Sequence, residues 1–340
     1  MKIALSIDEL IERDHAIEIF ELLCSLYEGA KIFTFVHSKG GIIGPIEMRK
    51  ISSTYLSLKI KNKKGFKKLS FLAPFAGLQI PCGFDLVINL SRGLSHGINR
   101  CGTTRQVTYL YDLASLDKTT LSGKIFYSYL KKWSLEKLNS CDELILSSDS
   151  MGKKLGIKNA KAIHPFVKVE DFSIINSSYF KHDFFVISTE GLSLKKAKEV
   201  SIFLNEHKIR YCFVGPDDLL KKDFDSSILM GEKCNGELAP LLASAKGLIH
   251  LGENVFPKNA ISSLLVGRPV YSLDSEYNRE FLDKGIFFSD FSQLLKDYTF
   301  DPQNLRASVL KFHPMGFKGQ FLKILEKENH AFKDSSPSCC

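Results

Sequence analysis

The chain has 340 residues, 44% of them hydrophobic and 25% charged, which is enough apolar material for one large core or two ordinary ones, so two domains are expected. No apolar run reaches the roughly 18–20 residues that span a bilayer, and the acid at Asp8 interrupts the first apolar stretch too early for a secretory leader. The expectation is therefore a cytoplasmic protein, and its formal net charge of +8, mostly lysine, points to an anionic partner: membrane lipid, a nucleotide-linked substrate or nucleic acid.

In chain order, Lys2–Ile7 reads as a buried strand and Ala16–Tyr27 as a helix, with Ile17, Phe20, Leu23 and Cys24 on one face. Strands follow at Lys31–Val36, Phe84–Asn89 and Gln106–Tyr111, then a helix at Leu130–Leu138, a strand at Asp142–Ser147 and a serine-capped helix at Ser150–Leu155. The pattern restarts after Asp183. Strands at Phe184–Ser188, Arg210–Val214, Gly247–Leu251 and Pro269–Leu273 alternate with helices at Lys195–Glu206, Gly236–Ser244 and Ala260–Val266. This β-α-β alternation implies parallel sheets covered on both faces, in two doubly wound halves. The polar stretch at 173–183 reads as the linker between them, bounding domains at 1–175 and 183–310 that would face each other across a cleft.

Eight cysteines carry no CxxC pair. Cys24, Cys82, Cys101, Cys141, Cys212 and Cys234 lie among apolar residues and read as buried reduced thiols, not as metal ligands or disulfides. Cys339 and Cys340 close a polar tail, 329–340, that reads as disordered.

Several segments, taken in order, resemble glycosyltransferase family 4. These are Phe84-Asp85-Leu86-Val87-Ile88-Asn89, Ser140-Cys141-Asp142-Glu143-Leu144-Ile145, His164-Pro165-Phe166-Val167, and the stretch from Leu248 to Gly267-Arg268-Pro269-Val270. The branch most similar to this chain is that of the GDP-mannose-dependent mannosyltransferases of surface-polysaccharide assembly. The resemblance runs from residue 1 to about 328 and implies a GT-B fold: two Rossmann-like α/β domains and a last helix, 311–328, that crosses back to the first. It also implies a nucleotide-sugar donor, a lipid-linked or polysaccharide acceptor, and no metal or other cofactor.

The family's donor-site residues are altered here. Thr189 stands where the family has an arginine, with Glu190 beside it; Lys195 matches the family's lysine, and Lys196 follows. Fixed positive charge is what stabilises a departing diphosphate, so this exchange bears directly on transfer. A pair of glutamates eight positions apart is replaced by Asn254 and Ser262; shifting the register to Glu253 brings Ile261 to the second position. Pro257 replaces a glycine and removes a backbone N–H. Asp14-His15 replaces a glycine pair, and Tyr111 lies nearest the position of a sugar-facing histidine. His15 and Tyr111 are the candidate catalytic residues. Lys195, Lys196, Glu253, Asn254 and Ser262 are the candidate donor ligands. Two functions stand: a retaining transferase with an eroded donor site, or a non-catalytic member that binds a glycan or stabilises a partner transferase.

Lys59, Lys61, Lys63, Lys64, Lys67 and Lys68 precede the apolar run Leu69–Phe75. Lysine on anionic headgroups with Phe and Leu in the acyl boundary would make this a peripheral membrane element; a solvated loop before a core helix is the alternative. No nucleic-acid recognition motif accompanies the lysines, and no nucleic-acid partner is expected.

Overall fold

The computed structural model describes residues 1–99, 101–116, 121–157, 160–174 and 183–334. The stretch at 175–182, most of the expected linker, lies outside the described residues, as do 335–340 with Cys339 and Cys340. Two compact units divide the chain, Met1–His164 and Pro165–Cys340.

The first unit contains β1 (Ile3–Leu10), α1 (His15–Leu26), β2 (Lys31–His37), β3 (Ile51–Ser53), α2 (Leu56–Lys59), α3 (Lys63–Leu69), α4 (Ala73–Ala76) and β4 (Leu86–Ser91). It continues with β5 (Arg105–Leu110), α5 (Leu121–Asn139), β6 (Glu143–Leu146), α6 (Asp149–Leu155) and β7 (Lys161–Ala162). Its seven strands pair in parallel in the order β3-β2-β1-β4-β5-β6-β7. The strands are apolar on both sides because both faces are covered. Phe33, Phe35 and Val87 pack with Phe66, Ala73, Ala76 and Leu130 in one core cluster.

The acid at Asp8 does not end β1, which runs on to Leu10. Its buried carboxyl accepts the backbone N–H groups of Arg92, Leu94 and Ser95 at 2.8–3.1 Å; burial raises its pKa, and these hydrogen bonds oppose the rise. α1 starts where Asp14 turns its carboxylate back to the N–H of Ile17, a side-chain cap.

The second unit holds β8 (Phe184–Ser188), α7 (Leu194–Glu206), β9 (Arg210–Val214), α8 (Asn235–Ser244), β10 (Gly247–His250) and α9 (Lys258–Leu265). β11 (Val270–Leu273), α10 (Glu276–Phe281), β12 (Ile286–Phe288), α11 (Pro302–Val309) and α12 (Pro314–Asp334) complete it. Its five parallel strands run β12-β11-β10-β8-β9. Alternate strand residues serve two cores: Val186, Leu248 and Val270 pack with α8, α9 and α11, while Phe185, Ile187, Ile249 and Tyr271 pack with α7. Val167, Val169 and Phe172 belong to the first of these cores.

The thiols depart from expectation. Cys24 and Cys212 are buried, but Cys141 is half-buried, Cys234 is exposed, and Cys82 is bonded to Cys101 with Cα atoms 5.6 Å apart. Nineteen residues and a strand separate that pair in sequence, so spacing alone carried no sign of it. Among the described residues, no helix is long and apolar enough to cross a membrane.

Candidate functional site

In open α/β sheets, ligands settle outside the carboxyl ends of the strands, where the strand order reverses. In the first unit that point lies between β1 and β4. The loops leaving them, with the end of β5, bring together Glu9, Asp14, His15, Arg92, Tyr111 and Asp112.

Arg92 is the hub. Its Nε and Nη2 donate to Asp112 at 3.2 and 2.9 Å, and its Nη1 donates to Asp14 at 2.6 Å and lies 3.7 Å from Glu9. Lys63 adds a second cation, 3.1 Å from Asp14 and 3.9 Å from Glu12. Burial alone would raise the pKa of Asp14, but Arg92 and Lys63 hold it well below the usual carboxylate range. Glu9 lacks such close pairing. Burial pushes it up to about 7 against the pull of Arg92, and its Oε2 has no hydrogen-bond partner among the described residues.

His15 and Tyr111, 96 residues apart, meet at 2.9 Å between Nδ1 and the phenol oxygen, with their rings edge to face. The Arg92 guanidinium lies 6.0 Å from the centre of the Tyr111 ring. Four carboxylates surround two cations, and both cations are engaged. The arrangement offers acceptors to hydroxyl groups and no spare positive charge to a phosphate.

In the second unit the order reverses between β8 and β10. The loops leaving these strands touch backbone to backbone: a Cβ on Gly252 would collide with the Glu190 carbonyl oxygen, and one on Gly191 would lie 3.3 Å from Gly252 and Glu253. Gly191 has φ +65°, which its lack of a side chain permits. Thr189 is turned away from the crevice. Its hydroxyl donates to Val214 O at 3.2 Å, and it abuts Gly215.

Glu190 folds back onto the first turn of α9. Its Oε1 and Oε2 accept the Asn259 N–H at 3.2 and 3.1 Å, and Oε2 also accepts from Ser188 Oγ at 3.1 Å. Burial pushes its pKa up to about 7, with the Asn259 N–H and Lys258 opposing the rise.

The lysines diverge. Lys195 is 86% exposed, with its ammonium 3.8 Å from Glu199. Lys196 reaches the carboxyl end of β10, 3.5 Å from Leu251 O and 2.7 Å from Glu253. It also lines a cavity of about 180 Å³ with Leu251, Leu273, Phe288 and Asp290. Asn254 is exposed with φ +61°, and Ser262 is fully buried inside α9, its hydroxyl without a partner among the described residues. Pro257 caps α9, its carbonyl accepting from Ile261. His250, fully buried at the end of β10, has neither ring nitrogen hydrogen-bonded among the described residues; burial and Lys196 hold its pKa down to about 4.

Two crystal structures of Alr3699/HepE from Anabaena, one in complex with UDP and glucose and one with UDP, match 96% of this chain and 99% and 100% of theirs, each at a TM-score of 0.68 and 13% identity. The fold is GT-B. AviGT4, a glycosyltransferase involved in avilamycin A biosynthesis, matches 94% of this chain at a TM-score of 0.48 and 12% identity, too loosely for comparison of residues. No protein-family model and no curated protein matches the sequence.

Arg92, Glu9 and Asp112 do not stand out in the sequence, because the groups they meet come from distant parts of the chain, and His250 does not because its burial depends on the packing of the second unit. Glu190 does stand out there, as a negative charge beside Thr189, but its return to α9 does not. The six lysines of 59–68 are split between elements. Lys59, Lys61, Lys64 and Lys68 are exposed on or beside α2 and α3, Lys67 is half-buried, and Lys63 turns toward Asp14.

Proposed function

We propose that this chain is a glycosyltransferase-like protein of cell-surface polysaccharide or glycolipid assembly, one that meets a nucleotide sugar at the switch point of its second unit and holds it weakly. The shared GT-B fold supports the class. The observation that carries the weak holding is the charge at that switch point: Glu190 stands at the start of α9, and Lys196 is committed to Glu253. Of the lysines beside that contact, Lys196 is paired with Glu253 and Lys258, the first residue of α9, acts on Glu190, so a diphosphate there would share both cations with carboxylates. Charge-assisted hydrogen bonds contribute roughly 1.5–3 kcal/mol and neutral ones roughly 0.5–1.5, so losing two such contacts weakens binding about tenfold to a thousandfold.

Calorimetric titration with UDP, GDP, UDP-glucose and GDP-mannose tests this. Dissociation constants weaker than about 100 μM are expected, on the scale where 1.4 kcal/mol is tenfold. Low-micromolar binding that Lys196→Ala abolishes would show an intact donor site. The same crowding favours a second reading, a non-catalytic chain that stabilises a partner transferase; co-purification with a transferase whose activity it raises would support that reading.

The finer proposal for the first unit is contact with anionic bilayers. α3 and the turn at Ser70–Leu72 pack on α5, with Phe71 stacked on Phe126 at 4.5 Å. Exposed Phe75, Ile125 and Tyr129 lie on these elements and on α4, among exposed Lys64, Lys68, Lys124, Lys131 and Lys132. Apolar side chains among lysines suit an anionic interface. Co-sedimentation should rise with phosphatidylserine content and fall with salt; equal binding to neutral vesicles would refute it.

A further inference from the structure

We propose that Glu190 is an intramolecular competitor for the second unit's own anion site, occupying the amino terminus of α9 in place of a ligand phosphate and yielding it when its carboxylate takes up a proton. This rests on, and deepens, the reading of the second unit as a nucleotide-sugar site.

Three observations carry it. First, the Glu190 carboxylate is bound as an anion would be at a helix start: both oxygens take the Asn259 N–H, and Ser188 Oγ donates to one of them. Second, the contact lies at the switch point itself, held by loops that touch at Gly191 and Gly252. Third, His250 lies on the same side of the sheet, with neither ring nitrogen hydrogen-bonded among the described residues. Ser188 and His250 are register partners on adjacent strands and therefore project to the same side of the sheet. On that side Ser188 Oγ meets Asn259 Nδ2 at 3.4 Å, and both ring nitrogens of the fully buried His250 lack a partner among the described residues. A buried, unpartnered imidazole beside an occupied helix start is a polar site built for more than the carboxylate now in it.

The charged groups acting on Glu190 are few. Lys258 on α9 lowers its pKa and Glu232, after β9, raises it; Ser188 and Asn259 are neutral. The β10 loop presents the backbone of Gly252, while Glu253 is tied to Lys196. Burial places the carboxyl at about 7, so it is largely ionised at pH 8 and largely neutral at pH 6, while His250, held near 4, stays neutral across that range. If an incoming anion binds only when Glu190 is protonated, its affinity falls about tenfold from pH 6 to pH 8.

Sulfate is the probe, because its charge is constant over this range. Its titration is followed at the Asn259 backbone amide by NMR, in the full chain and in Glu190→Gln. Wild type should bind about tenfold more tightly at pH 6 than at pH 8, and Glu190→Gln should bind equally at both, at the tighter level. Equal affinities for the two proteins at both pH values would overturn the proposal. If the variant does not fold, the wild-type series decides alone: a flat profile overturns it. UDP is titrated in parallel. A sulfate response as expected, with no UDP binding to either protein, keeps the competitor and removes the nucleotide reading. Tight, pH-independent UDP binding by wild type does the reverse.

Discussion

Glu9→Gln should stabilise the first unit at alkaline pH. Glu9 is 8% exposed and has one unpartnered oxygen, and burial raises its pKa from 4.5 to about 7. A folded-state pKa above the unfolded value means that the folded chain holds the proton more tightly. The resulting stability is fully present below about pH 4.5 and is lost as pH rises through about 7. At about 1.4 kcal/mol per pH unit the full loss is on the order of 3 kcal/mol. Glutamine keeps the shape and never ionises, and Arg92 keeps Asp14 and Asp112 as partners. The variant should therefore match wild type near pH 4.5 and exceed it by about 1–3 kcal/mol at pH 8.5. Trp133, the one tryptophan of the chain, lies on α5 in the first unit, so its fluorescence in urea reports that unit's unfolding by itself. A variant less stable than wild type at pH 8.5, or a difference that does not change with pH, would refute the assignment of Glu9 as a buried, uncompensated acid.

Arg92→Met takes the cation from Asp112 and Glu9 and leaves Asp14 with Lys63 alone, and should cost about 3–5 kcal/mol in the same urea assay, the range for removing one partner of a buried pair. Gly97→Ala puts a methyl group into the Trp133 ring; about 1–3 kcal/mol of overpacking and a shifted Trp133 emission are expected, and an unchanged spectrum would misplace the ring. Tyr111→Phe removes the hydrogen bond to His15 and should cost no more than about 1.5 kcal/mol, with the His15 ring resonances moving in an NMR spectrum.

The parallel sheets are legible in the sequence because strands buried on both faces are written as continuous apolar runs, as in Leu86–Ile88 and Phe184–Ile187. Of the edge strands only β9 is: β3, β7 and β12 are two or three residues long, too short for any period to show. Asp8 and Glu9 read as an end to β1 because the groups that satisfy or surround them, the N–H groups at 92–95 and the Arg92 side chain, arrive from β4 about 80 residues later. Ser262 reads as a substituted ligand position; its place on a fully buried turn of α9 depends on packing against the sheet, which no local pattern encodes.

The contact between Thr189 and Gly215 bears on the order in which the two positions can change. Gly215 stands at φ +118°, and a Cβ added there would collide with the Thr189 hydroxyl, so position 215 accepts no side chain while threonine is its neighbour. The carboxylate at 190 is fixed separately, by the Asn259 N–H at the start of α9. Positions 189 and 215 are thus tied to each other: a side chain gained at 215 requires a smaller neighbour at 189 first.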